Sequence, residues 1–313
     1  MCSSDLLFRL GPVTALLNWL VAPIPRRKAS TGADTVRACL RHFREGRSVC
    51  LFAEGEQCWD GRNSPIFPAT GKLARTGGVT LVTFRLEGAY LSLPRWGKGI
   101  RRGAVHGGPV GVYPPEQLKT MTPQEINALI ERDISENAWE RQRLAPVRYR
   151  GKKLAEGMER ALYACPACRK IGTLRTEDDR VFCLCGFERV YEETGFFSPA
   201  EPFETLAEWD DWQRTLLRER SFPHEGELLF SDEGVELTEI YTDHSEKNLG
   251  RGVLRQYEDR IACGSWSVPL SDMDSMAMVQ AHLLLLSARG RYYQLRVRGR
   301  ENLRKYLEIW KER

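Results

Sequence analysis

Residues 49–81 read VCLFAEGEQCWDGRNSPIFPATGKLARTGGVTL, and this stretch predicts the core of the fold. The apolar run at 49–52 indicates a short buried strand that ends near Gly55, where glycine allows a sharp turn. A helix opening around Lys72 and a second apolar run at 79–84 follow. This order of strand, loop, helix and strand predicts an α/β domain, in which ligands bind at the strand ends.

The pentapeptide Phe52-Ala53-Glu54-Gly55-Glu56 resembles the third sequence block of the glycerophospholipid acyltransferases of the lysophosphatidic-acid acyltransferase type. That block usually reads Phe-Pro-Glu-Gly-Thr, so the proline and the threonine are replaced here. The later Gly-Lys pair and apolar run also fit the family's spacing. The resemblance implies a partial acyltransferase α/β domain, truncated at its N-terminus, over residues 1–145. The alternative is a strand and turn of an unrelated α/β domain.

The resemblance also implies a site for the substrate phosphate. In the family an arginine from the second block contacts this phosphate, and Arg26 or Arg27 occupies the matching place. Alternatively, these arginines belong to a solvated charge cluster. Glu54 is expected to orient a neighbouring arginine while Gly55 offers its amide, and Lys72 is a further candidate for the phosphate.

The family's catalytic histidine lies five residues before an aspartate and acts as the general base on the glycerol hydroxyl. This sequence contains no such pair, because the residues five positions after its histidines are Arg47, Gly111, Leu229, Leu249 and Ser287. No catalytic residue is therefore assigned, and the chain is expected to be N-terminally incomplete and inactive alone. The alternative is a non-catalytic lipid-binding or scaffold protein that retains the acyltransferase fold.

The activity that the resemblance implies is acyl transfer in phospholipid biosynthesis. The donor would be acyl-CoA or acyl-carrier protein, and the acceptor a lysophospholipid such as 1-acylglycerol-3-phosphate. The chain would work in the cytoplasm, peripherally associated with a membrane surface. A glycine-rich basic stretch at 94–103 could hold a phosphate or an anionic membrane surface, or form a mobile surface loop.

Four cysteines form two close pairs in the middle of the chain and predict a zinc-ribbon-like module at 160–197. Zinc binds four thiolates tetrahedrally, and a full set of ligands leaves no open catalytic position. A structural zinc is expected, with an iron–sulfur cluster or four unligated buried thiols as alternatives. The ligands would be Cys165, Cys168, Cys183 and Cys185.

The C-terminal part changes to short strands separated by turns. A helical linker at 198–224 precedes it, and about seven strands and a last helix at 301–310 are predicted within residues 225–313. This order resembles a pleckstrin-homology-like (PH/GRAM-like) β-sandwich with a terminal helix. Such a domain could bind a lipid headgroup or a peptide, or merely pack on its neighbours.

The formal net charge of +4 is mild for a chain of 313 residues. A nucleic-acid binder would need a clear basic stripe, so nucleic acid is not expected as a partner. The four clustered and five scattered cysteines fit a reducing compartment.

Overall fold

The computed structural model describes residues 2–4, 16, 19–20, 23–26, 33–219, 226–241 and 245–312. They form a mixed α/β structure with several sheets, as the sequence predicts at that level. Arg27 lies outside the described residues, and only the backbone of Arg26 is described, so the predicted arginine contact to a phosphate stays a prediction.

Helices and strands alternate in the first half of the described chain, whereas strands dominate the second half. The described helices are α1 (Ala33–Arg44), α2 (Ala69–Gly77), α3 (Ala89–Ser92), α4 (Pro115–Thr120), α5 (Pro123–Ile134), α6 (Ala138–Leu144), α7 (Leu206–Glu219) and α8 (Arg304–Lys311). The described strands are β1 (Cys2–Ser4), β2 (Ile24–Arg26), β3 (Leu81–Glu87), β4 (His106–Tyr113), β5 (Leu174–Glu177), β6 (Arg180–Cys183), β7 (Glu188–Tyr191), β8 (Phe197–Ser198), β9 (Leu228–Ile240), β10 (Glu246–Tyr257), β11 (Arg260–Cys263), β12 (Trp266–Pro269), β13 (Met273–Val279), β14 (Leu283–Ala288) and β15 (Arg291–Arg296).

The chain divides into two compact units that are not continuous in sequence. Unit 1 comprises Met1–Cys58, Arg62–Gly88 and Val105–Asn137. Unit 2 comprises Trp59–Gly61, Ala89–Ala104 and Ala138–Arg313. Two short segments of the N-terminal half therefore belong to the same unit as the cysteine module and the C-terminal strands.

The core of unit 1 forms where α5 packs with α2 and the loop before it. Its buried apolar side chains are Ile66, Leu118, Ile126, Leu129 and Ile130. Helix α5 begins with a capping box, which the sequence Thr122-Pro123-Gln124-Glu125 predicts. Thr122 Oγ1 accepts from the Glu125 amide at 3.2 Å, and the Glu125 carboxylate accepts from the Thr122 amide at 2.7 Å. This reciprocal pair satisfies two amides that the first helical turn leaves without helical partners.

Two secondary-structure predictions for the N-terminal half are wrong. The apolar run at 49–52 is not a strand, and both Cys50 and Phe52 are exposed. Within residues 79–93 the sequence predicts a strand, a turn at Glu87-Gly88 and a second strand, but helix α3 takes the place of that second strand. Strand β3 pairs instead with β4, in an antiparallel register that joins Leu81 to Tyr113.

The β3–β4 sheet has one polar, buried face towards α5. Asp133 of α5 is buried and accepts hydrogen bonds from Thr83 Oγ1 at 2.8 Å and from the Tyr113 hydroxyl at 2.6 Å. Alternate residues of β3, such as Val82 and Phe84, point to the other face and are exposed. Side chains alternate between the faces of a strand, so this outer apolar face follows from the register.

Unit 2 contains a four-stranded sheet, ordered β5-β6-β7-β8, and a seven-stranded antiparallel sheet. The larger sheet has the order β12-β11-β10-β9-β15-β14-β13. The sequence predicts strands at 227–230, 235–241, 252–257, 260–263, 266–270, 283–287 and 292–297. The first two correspond to the two ends of β9, and the others to part of β10 and to β11, β12, β14 and β15, whereas β13 is not predicted. The number of strands is therefore as expected, although one of them is a different segment. The last helix is predicted correctly.

A buried ion-pair network joins helices α7 and α8 in unit 2. Arg304 and Asp210 are both fully buried, and their closest nitrogen–oxygen distance is 2.7 Å. Arg304 also donates to the Ala161 carbonyl at 3.1 Å, just before the first cysteine pair. Arg214 adds a second positive charge, 2.8 Å from the Asp210 carboxylate. Paired and hydrogen-bonded in this way, the buried charges are compensated.

Candidate functional site

The four cysteines of the predicted module come together in unit 2. Their sulfur atoms all lie within 4.8 Å of one another. The Cys165 and Cys185 sulfurs are 3.7 Å apart, as are those of Cys168 and Cys183. Each close pair therefore combines one cysteine from each sequence pair, so that the sulfurs form a compact cluster and not two separate dithiols.

Local backbone turns hold each cysteine pair in place. The Arg169 amide donates to the Cys165 carbonyl at 2.8 Å, and Arg169 has a positive φ of 57°. At the second pair, the Gly186 amide donates to the Cys183 carbonyl at 3.0 Å. Gly186 has a φ of 93°, a conformation that favours glycine. The glycine after the last cysteine is thus required by the turn that presents the ligands.

Two thiols of the cluster have shifted pKa values. Burial raises the pKa of Cys165. Burial also acts to raise the pKa of Cys183, but hydrogen bonds from Thr173, the Cys185 backbone and neighbouring thiols outweigh it and lower the pKa to about 7. The Cys183 sulfur lies 3.2 Å from Thr173 Oγ1. A lowered pKa makes the thiolate, which is the metal-binding form, more accessible near neutral pH.

These four cysteines could hold a metal ion. The donor set consists of four sulfurs, which zinc and iron both accept in tetrahedral sites. Three of the ligands are buried or half-buried, whereas Cys185 is exposed. If all four bind one ion, no coordination position remains for a substrate, so the arrangement suits a structural role and not catalysis.

The predicted phosphate site in unit 1 is built around a loop that Glu54 closes. The Glu54 carboxylate accepts a hydrogen bond from Asn63 Nδ2 at 2.7 Å and another from the Ser64 amide at 2.6 Å. Asn63 in turn accepts from the Glu136 amide. Burial raises the pKa of Glu54, although the bonds from Ser64 and Asn63 oppose the rise. The carboxylate therefore braces residues 54–64.

Two groups of the predicted phosphate site are engaged within the protein. Glu54 bonds Asn63 and Ser64, and its proposed contact with Arg26 or Arg27 stays a prediction. The Gly55 amide is not offered to a ligand, because it donates to the Phe52 carbonyl at 3.0 Å in a tight turn where Gly55 has a φ of 70°. Sequence reasoning missed Asn63, since nothing in the local pattern marks it as a partner of Glu54.

Lys72 lies in the first turns of α2, and its side chain is exposed. The neighbouring amide of Gly71 donates to Asn127 Oδ1 at 2.7 Å, so this amide is already used within the protein. A β-carbon on Gly71 would lie 2.1 Å from the Pro123 carbonyl oxygen, which requires glycine before the lysine. The Gly-Lys pair therefore serves close packing of α2 against α5 and leaves the ammonium group of Lys72 to solvent.

Two arginines of the basic stretch at 94–103 are buried and bonded within unit 2. Arg95 is buried and donates to the carbonyls of Gln280 and Met278 at 2.9 and 3.0 Å. Arg101 is also buried and lies over the ring of Trp96. These guanidinium groups pack unit 2 together, so they are not available to a phosphate.

No family model matches this chain, and no curated protein sequence matches it. The acyltransferase resemblance therefore remains a prediction from the motif around Glu54. Among the described helices, none is both long and apolar enough to cross a bilayer.

Proposed function

We propose that this chain binds a lysophospholipid such as 1-acylglycerol-3-phosphate as part of a glycerophospholipid acyltransferase. The observation that supports the proposal best is the loop braced by Glu54, because it occupies the position of the block that the sequence resembles. A carboxylate that closes a loop through one side-chain and one backbone donor fixes the loop's shape. Such a fixed loop would present neighbouring groups to a polar headgroup.

In this proposal the cation beside the loop is Lys72, joined by Arg26 or Arg27. Lys72 is exposed and one helix turn from the start of α2, which gives it access to an anion. Glu54 acts on the loop and does not touch the phosphate, since two anions would repel each other. Without a His-x-x-x-x-Asp pair in the sequence, the chain alone is proposed to bind this acceptor and not to transfer an acyl group to it.

The cysteine cluster is proposed to hold zinc in a structural role. Its ligand set of four thiols and its glycine-dependent turn support zinc over metals that prefer oxygen ligands. The seven-stranded sheet followed by α8 is proposed to be PH-like, on the strength of its strand number, its antiparallel order and its final helix. Neither part supplies a catalytic group in this proposal.

Titration calorimetry with 1-acylglycerol-3-phosphate tests the proposed function. Losing a hydrogen bond or ion pair to a charged group weakens binding by about tenfold or more. We therefore expect this loss in Glu54→Ala and in Lys72→Met. The matched controls are Glu56→Ala, the next acid in the loop, and Arg75→Met, on the same helix as Lys72.

Control variants should bind within about twofold of the unsubstituted protein, since neither Glu56 nor Arg75 is proposed to contact the ligand or to close the loop. An acyl-transfer assay with acyl-CoA should show no turnover by the chain alone. Absence of binding by the unsubstituted protein would refute the proposal. Acyl transfer by the chain alone would refute the assignment that it lacks the catalytic general base.

A further inference from the structure

Unit 1 contains a cavity of about 420 Å³ beside the strand-like segment that leads to Glu54. Small-molecule sites in proteins have volumes of roughly 300–1,000 Å³, so the cavity is large enough for a ligand. It is bordered by helices α1 and α2, by the chain before Glu54 and by the start of β3. The lining residues are Phe43, Gly46, Arg47, Ser48, Val49, Leu51, Thr70, Leu73, Ala74, Val79, Thr80, Leu81, Val82 and Ile130.

The lining of the cavity is mostly apolar. Nine of its fourteen residues have apolar side chains, and Arg47 is the one charged residue among the fourteen. The Arg47 guanidinium is largely exposed and lies 3.3 Å from Glu45, so it stands at the solvent side of the cavity. An apolar cavity with a cation at its rim complements a hydrocarbon chain that ends in an anion.

The cavity adjoins the proposed headgroup site along the same backbone. Leu51 lines the cavity and precedes Glu54 by three residues, a separation that spans at most about 11 Å. A lipid whose headgroup lies at the Glu54 loop could therefore place its chain in the cavity.

We infer that this cavity binds the hydrocarbon chain of a single-chain anionic lipid. The occupant is the fatty-acyl chain of the lysophospholipid, a specification that rests on the proposed function. Arg47 favours an anionic amphiphile over a cationic one of equal chain length. Binding removes the apolar walls and the chain from water, which is the main favourable contribution.

Palmitate tests the inference, because it carries the chain and the anion but no glycerol phosphate. Calorimetry with palmitate below its micellar concentration should detect binding, whereas hexadecyltrimethylammonium and butyrate should bind at least tenfold more weakly. Ala74→Phe fills the cavity from α2 and should weaken palmitate binding by at least tenfold. Its matched control is Ala69→Phe, an exposed position on the same helix outside the lining.

Arg47→Glu should weaken palmitate binding and abolish or reverse the preference for palmitate over hexadecyltrimethylammonium. Arg44→Glu, three residues earlier and outside the lining, should change neither. Unchanged palmitate affinity in Ala74→Phe would overturn the inference. That result would leave the proposed function intact if Glu54→Ala still weakened lysophospholipid binding, so the two failures are distinguishable.

A second measurement does not depend on a folded variant. A palmitate analogue with a diazirine near its methyl end should label peptides that contain the lining segments at 43–51 and 70–82 of the unsubstituted protein. Labelling confined to other peptides would overturn the inference. Thermal unfolding of Ala74→Phe and Ala69→Phe shows whether a lost affinity reflects a filled cavity or a lost fold. If Ala74→Phe does not fold, the labelling of the unsubstituted protein alone tests whether palmitate occupies the cavity.

Discussion

The cysteine cluster of unit 2 and the Glu54 loop of unit 1 are both polar sites made by short stretches of chain, but they differ in what holds them. The cluster brings together four equivalent sulfurs within 4.8 Å through two local turns. The loop depends on one carboxylate that reaches Asn63 and the Ser64 amide, and its strand-like approach at 49–52 pairs with no strand in the described chain.

The comparison indicates that the sequence spacing of residues predicts a site well when the same short segments provide both the ligands and the turns that position them. Gly186 directly follows the second cysteine pair in sequence, so the pattern contains most of the local geometry. The partners of Glu54 depend instead on how residues 55–62 fold back.

Removal of the metal site should have the largest effect. Structural zinc sites have apparent binding free energies of about 10–16 kcal/mol, so we expect Cys165→Ser to lose the metal and to destabilise unit 2 by at least about 3 kcal/mol. Elemental analysis and urea unfolding measure the two effects. Cys50→Ser, which alters an exposed thiol outside the cluster, is the control. Equal stability of Cys165→Ser and Cys50→Ser would show that unit 2 does not depend on the cluster.

Breaking the buried ion pair should be the next largest effect. Arg304→Met leaves the Asp210 carboxylate buried with Arg214 as its remaining cation, and removal of one partner from a buried pair costs about 3–5 kcal/mol. Arg180→Met, at the exposed ion pair of Arg180 with Glu177, should cost about 1 kcal/mol or less. Urea unfolding of both variants gives the comparison, and similar values would contradict the importance of burial here.

Opening the Glu54 loop should have a smaller and more local effect. Glu54→Ala leaves Asn63 Nδ2 and the Ser64 amide without their acceptor, which costs about 1–3 kcal/mol. Hydrogen exchange should accelerate at residues 54–58 and 62–64 and stay unchanged in the cysteine module. Glu56→Ala serves as the control within the loop. Faster exchange throughout both units would mean that the loop is not an independent element.

The stability contributions of Glu54 and of the buried Asp210 should respond to pH with opposite signs, as the smallest effect. Burial raises the pKa of Glu54, so its contribution to stability is fully present below the ordinary value of 4.5 and is lost as pH rises through the raised pKa. Burial acts to raise the pKa of Asp210 as well, but Arg304 and Arg214 outweigh it and lower the pKa. Its contribution is present above the ordinary value of 3.8 and is lost as pH falls through the lowered pKa.

Urea unfolding of Glu54→Gln and Asp210→Asn between pH 3 and pH 7 measures these contributions. Each variant should remove the contribution of its own group to the pH dependence of the free energy of unfolding. The difference between variant and unsubstituted protein should therefore change with pH in opposite directions for the two variants. Slopes of the same sign would contradict the assigned directions of the two pKa shifts.

Local signals account for the parts of the fold that the sequence predicts correctly. The capping box is formed by Thr122 and Glu125, which are close in sequence, and Gly46 follows the end of α1 with a positive φ. Both features mark helix ends in the structure. The cysteine pairs behave in the same way. In each case the residues that create the pattern are also the residues that make the contact, so no knowledge of the distant chain is needed.

Long-range packing decides the parts that sequence reasoning misses. The run at 49–52 has the composition of a strand but lacks a pairing partner among the described residues. Strand β13, which contains three methionines, is stabilised by its register with β14, from Met273 opposite Ala288 to Val279 opposite Leu283. Arg95 reads as a surface cation, yet it is buried against backbone carbonyls 183 and 185 residues away in the chain. None of these outcomes is encoded by neighbouring residues.

The interleaved course of the chain limits how its gene can be divided for expression. Trp59 and the segment Ala89–Ala104 belong to unit 2, although most of unit 2 is translated after residue 138. In the full chain Arg95 lies over the Trp59 ring and donates to the Met278 carbonyl, and Trp96 packs against the Tyr191 ring. A gene fragment that stops near residue 145 would contain Trp59, Arg95 and Trp96 but would lack Met278 and Tyr191. Three hydrophobic or cationic side chains would then meet solvent, and inclusion bodies are the expected product of such a fragment.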